Sequence, residues 1–430
     1  MNEQDKLLGI RNKIDAIDKQ IQMLINQRAE CAQQVAEIKI KAGETEHFYR
    51  AEREAQVLME IKRRNKGPLG DDAMAHLFRE IMSSCLALEK PIKVAFLGPA
   101  GTYNHAAANK HFGASIDQHP VDNIEDIFRI VEIGDAHFGV APIENSTEGV
   151  ISHTLDLLIN SSLNICGEVD LRIQHNLISN ETELKNITKV YSHQQSLAQC
   201  RRWLDANLPN AEHYAVRSNA EAVRLAKQEK GAAAIAGKMA AEIYAVPILN
   251  TEIEDEPNNT TRFIIIGKNQ VPASGNDRTS LLVTTGNKAG ALHHLLKPLA
   301  ERGIGMSKIE SRPSRKGVWE YVFFIDIEGH KDDPKVAEAL AEIGVNQKTI
   351  YVKVLGYDDY GIWAEFTNFK IPKLKTAKGE TPKRPMYQSV TGSLLIPWPL
   401  IISVVHFPGV EGFDFPDPFE SQMGFEIDKT

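Results

Sequence analysis

Near the N-terminus, apolar residues return at alternating steps of four and three: Ile10, Ile14, Ile17, Ile21, Leu24, then Cys31, Val35 and Ile38. This heptad seam is uninterrupted by proline or glycine between Gly9 and Gly43, and it predicts one helix of about 30 residues, roughly 45 Å long. One small domain cannot bury such a seam, so partner helices, a second copy's among them, are implied. A shorter helix is predicted from YRAEREAQVL, and another after the Gly67-Pro68-Leu69-Gly70 break, with Asp71-Asp72 as its cap. Past Lys90-Pro91 the period changes. Lys93–Leu97 reads as a buried strand that runs through Gly98-Pro99-Ala100-Gly101-Thr102 into the helix YNHAAANKHF. HFGVAPI reads as a second strand ending at Glu144–Gly149, LNICGEVDLRIQHNLI alternates like a hairpin, and the loop Glu256–Thr261 feeds a strand from Arg262. Residues 279–355 follow a β-α-β-β-α-β order, the ferredoxin-like split βαβ arrangement. Residues 357–430 show neither period; disorder, an added segment and an altered reading frame all stay open for them.

At 430 residues, several domains are expected. A net charge of −8 argues against nucleic acid as the main partner. The apolar stretch Leu394–Val405 is too short and too broken by proline to span a bilayer. No apolar run opens the chain, so no signal peptide is expected. Cys31, Cys85, Cys166 and Cys200 lie far apart without a C-x-x-C pair, which fits reduced thiols in the cytoplasm and no metal site.

The seam position between Leu24 and Cys31 is Arg28. An arginine on a packed seam is costly unless an anion pairs with it. Lys39, eleven residues on, returns within about 20° of the same face and about 16 Å along the axis. Two long cations at that spacing can converge on a small dianion. Arg11 is about 25 Å from Arg28, too far to share that ligand, but in an antiparallel pair it could reach the other chain's pocket. A dimerising coiled coil remains the plain alternative for this helix. The glycine-bearing turn before YNHAAANKHF can aim backbone N–H groups at an anion, or be a turn with no ligand. Glu144–Gly149 places donors at a second strand end, where ligands of α/β sheets bind.

Taken together, LLGIRNKIDAIDKQI, INQRAECAQQVAEIK, YRAERE and LFREIMSSCLALE resemble the all-helical, intertwined-dimer chorismate mutases over residues 1–90. The resemblance implies that Arg11 (from the partner chain), Arg28, Lys39, Arg53, Glu54, Cys85 and Glu89 bind chorismate, with Lys39 and Glu89 catalytic. It departs from the family pattern before Arg53, where Arg50 stands nearest to the usual aspartate. A second departure is Glu89, where glutamine is common; a glutamate donates to the ether oxygen only when protonated. GPAGT, PIENSTEG, GEVDLRIQHNL, YSHQQSLAQCR and EDEPNNTTRF resemble prephenate dehydratase over 92–268, with Ala100 the one oddity. That implies two α/β lobes around a cleft, like a periplasmic binding protein. Thr261 would assist hydroxyl departure, while Thr102, Asn145, Ser146, Gln194 and Arg262 bind prephenate or shape the cleft. Gly290-Ala291-Leu292 and Glu310-Ser311-Arg312-Pro313 resemble the phenylalanine-binding signatures of ACT domains, here over 279–356. The implied activity is a cofactor-free conversion of chorismate to phenylpyruvate, inhibited by L-phenylalanine, in a homodimer or larger homo-oligomer. An aromatic amino acid sensor without chemistry, and an enzyme acting on arogenate, are the competing readings.

Overall fold

The structure is a computed structural model that describes residues 3–43, 49–285, 288–313, 321–344, 353–357, 361–372 and 387–397. Helix α1 (Glu3–Lys41) runs through the seam and beyond it, Gly9 included. Its seam lies bare in the single chain: Ile10 is 55% and Ile38 66% exposed. Helices α2 (Ala51–Arg64) and α3 (Asp71–Ala87) pack through Leu58, Ile61 and Ala75. The cap of α3 differs from expectation. Gly70 holds the N-cap position, and Asp71 and Asp72 fall in the first turn, where their charge complements the helix dipole.

The chain then builds a first lobe from β1 (Lys93–Leu97), α4 (Tyr103–Phe112), β2 (Asp117–Val121), α5 (Ile124–Ile133), β3 (Phe138–Asn145), β4 (Gly149–Val150), α6 (Ser152–Asn160) and β5 (Asn164–Arg172). It crosses to a second lobe of β6 (Asn176–Ser179), β7 (Lys189–His193), α7 (Gln194–Gln199), α8 (Arg201–Asn207), β8 (Glu212–Val216), α9 (Asn219–Gln228), β9 (Ala232–Ala236), α10 (Lys238–Tyr244) and β10 (Ile248–Asn250). It returns to the first lobe with β11 (Thr260–Gly267). The first sheet has the order β2-β1-β3-β11-β5, with β4 paired to β3; the second has the order β10-β6-β9-β7-β8. The segment read as a hairpin is therefore two strands in two sheets, because residues 173–175 carry the chain from lobe to lobe.

β3 and β11 are central and buried on both faces. Phe263 and Ile265 face α4 together with Phe96 and Phe138; Tyr49 and Leu86 of the N-terminal region pack on that same cluster. Ile264 and Ile266 face α5 and α6. The short side chains of β9 let helices close on both sides of the second sheet. Gly101 has φ +92°, and a Cβ there would lie 3.1 Å from the Ala240 Cα, so the GPAGT turn needs glycine where the second lobe approaches it.

A third sheet, β12-β14-β13, is formed by β12 (Arg278–Thr284), β13 (Met306–Pro313) and β14 (Tyr321–Glu328), with α11 (Ala291–Glu301) and α12 (Pro334–Ile343). Among the described residues no fourth strand joins it. Residues 350–352 lie outside the described residues, and β15 (Lys353–Tyr357) pairs instead with β16 (Gly361–Pro372). β16 in turn pairs with β17 (Tyr387–Pro397), all within a separate unit that begins at Gly344. The tail thus contains two long paired strands that its pattern did not announce; its other residues lie outside the described set.

Candidate active sites

The N-terminal helices bring charges together. Glu89 lies just past the C-terminus of α3, its backbone N–H on the Leu86 carbonyl at 3.0 Å. Burial pushes its carboxyl above the ordinary carboxylate range, while the positive charges of Lys39 and Arg28 pull the other way. Arg28 of the seam and Lys39 near the same face of α1 therefore act on one carboxyl, just past α3, within one chain. Arg28 and Lys39 are half-buried, and Cys85, one turn before Glu89, is 3% exposed. Arg53 is exposed. Glu54 is half-buried against Arg79, at 3.3 Å. Burial raises its carboxyl pKa, against the lowering effects of Arg79 and of a hydrogen bond with Tyr49. Neither Arg79 nor Tyr49 was expected here. Arg11 stands on the exposed N-terminal half of α1.

The second site is built from neutral amides and hydroxyls where the chain passes between lobes. β3 and β11 are in register with Asn145 opposite Thr261. The Asn145 side-chain amide donates to Thr261 Oγ1 at 2.8 Å and to Asn259 Oδ1 at 2.8 Å. Its Oδ1 accepts from the Thr147 hydroxyl at 2.6 Å and from the Thr147 and Glu148 backbone N–H groups at 3.0 Å each. With all its amide and carbonyl groups engaged, Asn145 is fixed in orientation. Thr261, 8% exposed, accepts from it and so keeps its own hydroxyl proton to give.

The set continues into the second lobe. Asn259 donates to Gln199 Oε1 at 3.1 Å, and that oxygen also meets His175 Nε2 at 2.9 Å. An amide oxygen only accepts, so His175 donates from Nε2, and its Nδ1 faces the Tyr103 hydroxyl at 2.8 Å. Burial lowers the His175 pKa, which keeps the ring neutral. Gln199 Nε2 reaches back to Thr147 Oγ1 at 3.4 Å. These contacts tie the last turn of α7 to the Glu144–Gly149 loop.

The expected residues divide. Asn145 and Thr261 sit at the centre of this set. Ser146 is beside it, its hydroxyl accepting from the Thr260 N–H at 2.9 Å. Thr102 caps α4, donating to the Leu97 carbonyl at 2.9 Å and accepting from the His105 N–H at 3.4 Å. Gln194 is exposed at the start of α7, and Gln199, one and a half turns on, joins the set. Arg262 departs furthest from expectation. Successive strand residues face opposite ways, and Arg262 points away from the Thr261 side, to Glu168 at 2.8 Å and Asp326 at 2.6 Å.

In the third sheet, Gly290 (φ +81°) caps α11, with Ala291 and Leu292 half-buried behind it. Glu310 and Arg312 are half-buried on one face of β13, while Ser311 and Pro313 are exposed on the other. Arg312 donates to Ser152 Oγ at 2.6 Å and Asp156 Oδ1 at 2.8 Å, both on α6. The expected effector set is therefore split between two faces.

Three family profiles match the chain: chorismate mutase type II over residues 10–90, prephenate dehydratase over 94–271 and the ACT domain over 279–345. A bifunctional chorismate mutase/prephenate dehydratase of Pseudomonas aeruginosa is 52% identical over 360 residues, covering 83% of this chain and 98% of that protein. The chain belongs to this bifunctional family. It accordingly has both an isomerase activity, chorismate mutase, and a lyase activity, prephenate dehydratase. Proteins of the same description from Neisseria gonorrhoeae and Escherichia coli are 51% identical over 353 residues (81% of this chain, 96% of that one) and 31% identical over 382 (83% and 97%). Among solved structures, a prephenate dehydratase of Arthrobacter aurescens in complex with L-Phe has 33% identity and a TM-score of 0.55 over 59% of this chain and 86% of its own. The prephenate dehydratase of Staphylococcus aureus has 30% identity and a TM-score of 0.53 over 59% and 96%.

Asn259, Gln199, His175 and Tyr103 are the members of this hydrogen-bonded set that the sequence reading leaves out. EDEPNNTTRF, YSHQQSLAQCR and DLRIQHNL each held one of the first three in plain view. Propensity reads such asparagines and glutamines as turn or surface residues, and only the double crossing between lobes brings them to one point.

Proposed function

We propose that the N-terminal helices rearrange chorismate with Arg28, Lys39, Arg53, Glu54 and Cys85 around it, Arg11 coming from a second copy. Glu89, protonated, donates to the breaking ether oxygen. No covalent step is needed. Catalysis consists of holding the dicarboxylate in its reactive conformer and stabilising charge on that oxygen. The bare seam of α1 supports a homodimer or larger homo-oligomer in which partner helices cover it.

Prephenate then loses water and CO2 in the cleft between lobes, whose double crossover supports the likeness to periplasmic binding proteins. Thr261 gives its hydroxyl proton to the departing ring hydroxyl, and accepting from Asn145 strengthens it as a donor. That hydrogen bond is the observation that carries the dehydratase reading. Ser146, Gln199 and Asn259 hold the loop and the lobes around it, and Thr102 sets the start of α4. The chain works in the cytoplasm. L-phenylalanine inhibits it through Gly290–Leu292 and Glu310–Pro313, with support from the L-Phe complex of the Arthrobacter aurescens relative.

The test is to give the purified protein chorismate alone and follow phenylpyruvate, with and without L-phenylalanine. Phenylpyruvate formed without additives, and suppressed by phenylalanine, supports the whole reading. Accumulating prephenate removes the dehydratase role of this cleft, and arogenate offered in its place decides the substrate. Untouched chorismate together with bound phenylalanine would favour a sensor.

A further inference from the structure

The ladder rung that carries Asn145 and Thr261 has a neighbour facing the other way. Glu144 and Arg262 are register partners on β3 and β11, and their side chains point toward the ACT domain. The Arg262 side chain is 14% exposed and meets three carboxylates: Glu168 at 2.8 Å, Asp326 at 2.6 Å and Glu144 at 3.7 Å. Lys308 Nζ reaches Glu144 at 3.1 Å. Asp326 is buried and also accepts from Ser280 Oγ at 2.6 Å.

Asp326, Lys308 and Ser280 are partners across the ACT sheet, one on each of its three strands. That face packs on the first lobe. Phe324 belongs to the core cluster of Ile264 and Ile266, and Arg312 reaches α6. The ion pairs are thus the polar centre of an apolar interface, where losing one partner leaves a charge uncompensated. Arg262, the partner of Asp326, directly follows Thr261 on β11.

We propose that Asp326 is a positioning residue of the dehydratase site. Through Arg262 it fixes the rung on which Thr261 sits, and through it the ACT domain acts on dehydratase turnover. The second half rests on the reading of that domain as a phenylalanine sensor.

The test uses Asp326→Asn and Asp326→Glu in the full-length chain. Dehydratase kcat and KM are measured with and without L-phenylalanine, phenylalanine binding is followed by calorimetry, and mutase turnover serves as an internal measure of folding. We expect Asp326→Asn to lower dehydratase kcat roughly 10- to 100-fold, the scale of a small misplacement of a reacting group. KM for prephenate and mutase turnover should hold, phenylalanine should still bind, and it should no longer change what turnover remains. Asp326→Glu should recover part of the kcat. A folded Asp326→Asn protein with wild-type kcat and wild-type inhibition overturns the proposal. If the wild-type chain binds no phenylalanine, the sensor reading fails, and the kcat comparison alone decides the positioning role. Should Asp326→Asn not fold, Lys308→Met addresses the same rung from Glu144; unchanged kcat in that variant overturns the proposal, and a fall with KM held supports it.

Discussion

The two proposed active sites of this chain use opposite materials. Around Glu89, the mutase helices gather formal charges on half-exposed surfaces, with a carboxyl whose protonation decides whether it can donate. Around Thr261, the dehydratase lobes gather amides, hydroxyls and one neutral imidazole in a buried crossing. The rearrangement moves no proton and needs electrostatic grip on a dicarboxylate. The dehydration must pass a proton to a leaving hydroxyl without seizing the carboxylate that departs as CO2. Charges serve the first task and neutral donors the second.

The largest effect expected from breaking this contrast is at Thr261. Thr261→Val should lower dehydratase kcat about 10²- to 10³-fold, the scale of losing one donor to developing charge, and leave mutase turnover unchanged. Assays started separately from chorismate and from prephenate check this, and a loss below tenfold would make Thr261 a structural hydroxyl. The pH profiles come next. In the proposed mutase step the active form of Glu89 is protonated, and burial holds its pKa above the ordinary value. Mutase kcat/KM should therefore hold at low pH and fall roughly tenfold per unit once pH passes that pKa. Glu89→Gln should flatten the profile. Dehydratase kcat should not share the fall, since no carboxyl donates in the proposed Thr261 step. A flat mutase profile in the wild-type enzyme would remove Glu89 from its role.

A smaller effect tests where the two halves meet. Burial pushes His111, on α4 beside Tyr49, down to about 3. The unfolded chain binds a proton near pH 6.5 that the folded one refuses, so stability should fall as pH drops below that value, by about 1.4 kcal/mol per unit from this group. Urea midpoints against pH, compared with His111→Gln, measure the difference in slope. The smallest effect concerns thiols. Cys166 is pushed up to about 12 by burial and should resist alkylation, whereas Cys31 is exposed on α1. Cys31 lies on the seam, so slow labelling in the wild type and fast labelling in Ile14→Glu would show the seam covered in solution.

Much of this was legible from period alone. The heptad gave α1, and the one cation out of pattern, Arg28, led to Lys39, whose charge acts with it on the Glu89 carboxyl. β1, β3 and the helix after GPAGT were equally plain. Strand alternation, legible in TTRF itself, puts Arg262 on the opposite face of β11 from Thr261. The β5–β6 segment was misjudged because a chain crossing between sheets and a hairpin turn look alike in an apolar pattern. Gln199 and Asn259 needed the tertiary crossing itself. The pairing of β16 with β17 has no counterpart in any alternation read from residues 357–430.

The length of α1 carries a genetic consequence. In the proposed antiparallel pair, each mutase pocket draws Arg11 from one copy and Arg28 with Lys39 from the other. Two defective alleles, Arg11→Ala and Arg28→Ala, would then place both lesions in one pocket of a mixed dimer and leave the other pocket whole. Cells carrying both alleles should recover mutase function that neither supports alone.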